Sequence, residues 1–168
     1  MKRQLFWAGV LIIAAVQGAN LYILTVPTSD LFKEAWWLDI PLHIFGGMGV
    51  AFFTLWFMVW TGIAPLDESR TWLAGRMRLA FPGGAPWWWW LGGVLGGIGL
   101  AALGWEVLEA CAFYYPRQPF PPGYPIDTIK DICNGVLGAT IAWAAFFRVQ
   151  LRAWQKVKAS REQSTQPR

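Results

Sequence analysis

The chain has 168 residues, is 55% hydrophobic, and carries thirteen tryptophans and a formal charge of +4 with only 14% charged residues. Four long stretches, residues 5–26, 36–61, 87–114 and 126–148, are apolar and almost free of charge. Each is long enough for the ~20 helical residues that cross a ~30 Å hydrocarbon layer. That pattern excludes a water-soluble globule. It predicts an all-α polytopic membrane protein: four transmembrane helices in a compact antiparallel bundle, one domain over residues 1–150, and a basic, disordered tail over 151–168.

The first segment follows Met1-Lys2-Arg3 and runs on through "LYILTV". That run is too long for the apolar part of a cleaved signal peptide, so an uncleaved anchor is expected. Gln17 and Asn20 interrupt it and should face neighbouring helices, where amides find hydrogen-bond partners. After the loop "PTSDLFKEAWW", the second segment opens with Asp39, Pro41 and His43. Pro41 either occupies the first helical turn or kinks the helix. The connection over residues 62–86 is the longest, and its "RTWLAGRMRLAF" could lie flat on a lipid surface. "PWWWW" (Pro86 to Trp90) marks re-entry into the bilayer, since indole rings collect where an apolar body and a polar N–H are both accommodated.

The third segment begins "LGGVLGGIGLAALG", where Gly92, Gly93, Gly96, Gly97 and Gly99 strip side chains from two helix faces. Gly46, Gly47 and Gly49 do the same in the second segment, and Gly135 and Gly138 in the fourth. Such faces suit close helix packing or a homodimer. The third segment ends in Glu106 and Glu109. A proline-rich loop containing Arg117 follows, and the fourth segment carries Asp127, Lys130, Asp131 and Asn134.

Eleven of the fourteen Lys and Arg residues fall on the side holding both termini and the middle loop, against three acids. The other side has three cations and seven acids. By the positive-inside bias both termini are cytoplasmic and the protein sits in a bacterial-type inner membrane. The basic balance reflects topology and contact with membrane lipids. Nothing points to nucleic acid: there is no P-loop, dinucleotide fingerprint or haem-ligand pair.

The polar residues of the last three segments share one depth. Asp39 and His43 are spaced i, i+4, Glu106 and Glu109 i, i+3, and Asp127 and Asp131 i, i+4, so each pair lies on one helix face. The third and fourth helices must be neighbours, and an outward-facing acidic pocket is expected. Each group also has an ordinary structural role. Asp127 can cap the fourth helix, His43 can bond a carbonyl, and Arg117 and Lys130 can neutralise acids. As a set, buried ionisable groups on three membrane helices point to function. Clustered carboxylates need either protons or a cation. Asp39, His43, Glu106, Glu109, Asp131 and Asn134 together suit a hard or borderline divalent metal ion, with Asp127, Lys130 and Arg117 as contacts for a substrate or lipid headgroup. Cys111 and Cys133 either form a disulfide between adjacent helices or, as slightly favoured, are small buried residues.

"LDIPLHIFGG", "GWEVLEA" and "DTIKDICNGVLGA" together resemble the VanZ-like superfamily of small integral membrane proteins, over residues 36–140. Asp127, Asp131, Asn134, Gly135 and Gly138 form the most specific part; Asp39 with His43 and Glu106 with Glu109 match its acid–His and paired-Glu elements. Ile40-Pro41 departs from the lysine-bearing turn of that superfamily. The resemblance implies the fold and the site more than an activity.

Three functions compete, in this order: a non-catalytic protein whose pocket binds a divalent cation, lipid headgroup or envelope precursor; a metal-dependent intramembrane hydrolase or transferase on lipid-linked substrates, with Glu106 or Asp131 as catalytic base; and a cation- or proton-coupled carrier.

Overall fold

The computed structural model describes residues 2–25, 36–64, 85–109, 111 and 124–164. Within them lie four long helices: α1 (Lys2–Thr25), α2 (Asp39–Thr61), α3 (Trp87–Glu109) and α4 (Tyr124–Ser164), with one 3-10 turn, Trp36–Leu38, leading into α2. Spans Lys2–Tyr22, Asp39–Thr61, Trp87–Leu108 and Pro125–Gln150 are each long and apolar enough to cross a membrane. Leu100, Leu103, Leu11 and Ile126 are 62–74% exposed. Such a surface would be costly in water and is unremarkable in hydrocarbon.

Helix α2 is the hub, packing against α1, α3 and α4. Its small residues explain why. A Cβ added at Gly9 of α1 would lie 3.1 Å from the Gly49 carbonyl, and the Phe6 ring lies 4.9 Å from that of Trp56, tilted by 56°. On the α3 side, a Cβ at Gly93 would strike Met58 and one at Gly97 would strike Thr54. Against α4 the backbones themselves touch: a Cβ on Gly47 would fall on the Gly135 carbonyl, and one on Gly138 on the Ile44 carbonyl. Glycine alone permits that approach, and close backbone contact is what drives association where no hydrophobic effect operates between helices. Leu55, Val59 and Val94 are fully buried beside this crossing, with Ala139, Ala142 and Phe146 from α4.

Pro41 is the third residue of α2, where its missing N–H costs nothing, so the first-turn alternative holds. The other end of α2 closes at Gly62, whose φ of 81° suits glycine and lets its N–H reach the Met58 carbonyl. Trp89 Nε1 then donates to the Ile63 carbonyl at 3.1 Å, and Trp90 Nε1 to Ala85 at 3.2 Å. Half of the "WWWW" run thus fastens the entry of α3, while Trp87 and Trp88 stay exposed as belt residues would.

Several expectations need correction. The stretch read as a disordered tail is helix as far as Ser164, because α4 continues past its apolar span without a breaking residue. Among the described residues, a Cβ added at Gly92, Gly96 or Gly99 meets nothing within 4 Å, so within these residues one of the two glycine faces of α3 is used in helix packing. Gln17 is exposed instead of facing a neighbour. Cys111 and Cys133 are exposed free thiols, not small buried residues. Most of the three loops lies outside the described residues.

Candidate metal site at the head of α2 and α4

Because α2 and α4 cross at Gly47 and Gly135, the residues one turn nearer each N-terminus must also meet. These are His43 and Asp131. His43 Nε2 lies 3.3 Å from Asp131 Oδ1 and 3.2 Å from Asp39 Oδ1, which stands one turn further along α2. One donor atom from each of the three residues falls within 4.8 Å of the others. The side chains are 20–35% exposed, so the cluster is walled by helices on one side and open on the other.

Among the described residues, Asp131 Oδ1 is buried and has no hydrogen-bond partner. The 3.3 Å approach of His43 is within ion-pair range, yet its direction does not make a hydrogen bond. Nε2 carries a single hydrogen, so an imidazolium that directs it at Asp39 leaves Asp131 Oδ1 with an ion pair alone, whereas a cation would serve both carboxylates. Bonds of about 2.0–2.2 Å from a metal to oxygen or imidazole nitrogen place neighbouring donors roughly 3.0–3.4 Å apart. The two His43–carboxylate separations fall in that range.

The remaining predicted residues divide. Glu106, half-buried on α3, accepts a hydrogen bond from Thr128 Oγ1 at 3.0 Å. Thr128 sits one turn from Asp131 on α4, so this bond ties the end of α3 beside the cluster without placing Glu106 in it. Asn134 is half-buried one turn beyond Asp131. Asp127 is not the cap of α4: that helix starts at Tyr124, and Asp127 lies in its first turn, where the positive helix end favours it. There it accepts from Lys130 Nζ at 3.2 Å in a pair that is 61–65% exposed. Arg117 and the side chain of Glu109 lie outside the described residues.

Sequence reasoning passed over Thr128. A hydroxyl between two aspartates in "DTIKD", within an apolar helix, was the available signal. It also passed over an apolar groove of about 630 Å³ between α2 and α3, floored by Gly93 and Gly97 and walled by Phe53, Phe57, Trp88 and Trp89. The groove lies toward the C-terminal end of α2, away from the Asp–His–Asp cluster. Comparison with protein-family models, with curated proteins and with solved structures gives no match to this chain.

Proposed function

We propose that this is a membrane-embedded protein whose Asp39–His43–Asp131 cluster binds a divalent cation at the outer face of a cytoplasmic membrane. The carrying observation is the geometry of the cluster: three ligand-type side chains from two helices converge, and among the described residues one buried carboxylate oxygen is left without a hydrogen bond. A cation supplies the partner that oxygen lacks and relieves the repulsion between Asp39 and Asp131. The outward placement rests on the excess of Lys and Arg around both termini and the middle loop, which favours a cytoplasmic location for them. The resemblance to VanZ-like proteins agrees with a role in the cell envelope.

Elemental analysis of protein purified in mild detergent, beside an Asp39→Asn/Asp131→Asn variant, tests this reading. Stoichiometric metal in the parent and none in the variant supports it. Equal, substoichiometric content in both, with loading by added metal also failing, removes it.

A second reading, a metal-dependent hydrolase or transferase on lipid-linked substrates, is favoured by one observation. Glu106 is held by Thr128 next to the cluster, where a carboxylate base would be useful. Abolition of a cellular phenotype by Glu106→Gln, with normal insertion and metal content, would raise it above the first.

A further inference from the structure

Resting on the cation reading, we infer that the Asp39–His43–Asp131 cluster is a transition-metal centre with an open coordination position, taking ions of the Zn²⁺ and Fe²⁺ kind over Mg²⁺ and Ca²⁺, and holding an exchangeable oxygen-donor ligand there.

The first ground is donor chemistry. Calcium collects six to eight oxygens and magnesium keeps most of its own waters. Imidazole suits zinc, copper, iron and nickel, whereas all-oxygen sets suit magnesium, calcium and manganese. Here Nε2 of His43 faces both carboxylates, so the nitrogen sits at the centre of the set.

The second ground is rigidity. His43 and Asp131 each lie one turn from a backbone-to-backbone contact, Gly47 on Gly135, with Gly138 on Ile44 just beyond. Helices locked in this way cannot spread to admit the larger oxygen shell calcium needs. The donors keep the short separations that suit a bond of about 2 Å.

The third ground is the count of donors. Among the described residues the cluster has three ligands, and Glu106 of α3 is engaged by Thr128. Structural zinc sites close four positions with protein, whereas three protein ligands leave a place for water or substrate. The partial exposure of Asp39 and His43 puts that place on the accessible side. Two carboxylates balance a divalent ion, so the added ligand needs no charge of its own. Water, a hydroxyl or a phosphoryl oxygen all qualify, and lipid headgroups carry the last two.

Cobalt(II) titration of the whole protein in detergent tests this, because its visible bands report both coordination geometry and ligand exchange. The expected result is one Co²⁺ per chain, bound at least about a hundredfold tighter than Mg²⁺ or Ca²⁺, with bands that shift on adding azide or inorganic phosphate and that vanish in His43→Gln and Asp39→Asn. Bands indifferent to both added ligands would mean a closed shell and overturn the open position, leaving the cation reading intact. Displacement of Co²⁺ by equimolar Mg²⁺ or Ca²⁺ would overturn the metal class alone. No cobalt bound by the folded parent protein would overturn both.

Discussion

His43 Nε2 stands 3.3 Å from Asp131 Oδ1 one helical turn from the place where Gly47 and Gly135 bring two backbones into contact. Close packing of α2 on α4 and the polar cluster at their head are therefore one feature. Side chains as short as aspartate can meet across two helices only when the helix axes are unusually near. The glycines set that distance, and the polar residues use it.

Substitution at the crossing should accordingly disturb fold and site together. In Gly47→Val or Gly138→Val the new carbons meet carbonyl groups that cannot swing aside. Overpacking typically costs about 1–3 kcal/mol, and here the upper end or more is expected. The thermal transition in mild detergent should fall in both variants, and bound metal should be lost. Gly96→Ala is the control: nothing lies within 4 Å of its new carbon, and alanine is the better helix former by up to about 1 kcal/mol. Its transition should hold or rise. Equal behaviour of the three variants would show that the crossing does not govern stability.

Much of this fold was legible because charge is so costly in hydrocarbon. The helices holding "LIIAAV" and "FFTLWFMVW" are long and apolar enough to cross a membrane, and the Asp39/His43 spacing together with Asp131 marked the faces that meet. Partner register was harder. Gly46, Gly47 and Gly49 read alike in the sequence, yet Gly47 serves α4 and Gly49 serves α1, a distinction that arises only from the crossing. Glu106 shows the same limit. Its depth was readable, but its engagement by Thr128 depends on how α3 rotates against α4, which i, i+3 spacing leaves open. The helical stretch after Arg152 was missed because polar, basic composition suggests disorder, although it holds no glycine or proline before Gln163 to stop a helix already under way.

Metal affinity should follow the three ligands and the proton concentration. Asp39→Asn and Asp131→Asn replace an anionic donor by a neutral amide oxygen and His43→Gln removes the imidazole nitrogen, so each should weaken binding by more than the roughly 10–100-fold seen on losing an outer-shell partner. Binding requires neutral imidazole and ionised carboxylates, so protons compete with the ion. Affinity should fall on acidification, by up to roughly tenfold per pH unit for each proton displaced. Cobalt titrations at a series of pH values measure the slope. Affinity that rises as pH falls would contradict coordination by these groups.

Thr128 and Glu106 should prove energetically coupled. Thr128→Val keeps the shape and removes the donor to Glu106 Oε2. A hydrogen bond to a charged group contributes about 1.5–3 kcal/mol when well formed, and partial exposure argues for the lower part of that range. In a double-mutant cycle with Glu106→Gln, the two changes should cost less together than the sum of each alone, with a coupling of about 1 kcal/mol. Strict additivity of the thermal shifts would mean the bond contributes nothing to holding α3 on α4.

Lys130 offers a test of electrostatics apart from folding. It pairs with Asp127 in an i, i+3 arrangement that is 61–65% exposed, and exposed pairs of this kind contribute about 0–1 kcal/mol. Lys130→Gln should leave the thermal transition almost unchanged. It also removes a positive charge one residue from Asp131 and frees the carboxylate of Asp127, so the field at the cluster becomes more negative. Cation affinity should then tighten, by roughly two- to tenfold at low salt, since two unit charges about 10 Å apart interact by roughly 0.4 to 1.7 kcal/mol between the dielectric of water and that of a protein surface. The gain should shrink above ~0.1 M salt, where the screening length drops below that distance. Weaker metal binding in Lys130→Gln would instead assign Lys130 a direct part in holding the ligand that completes the site.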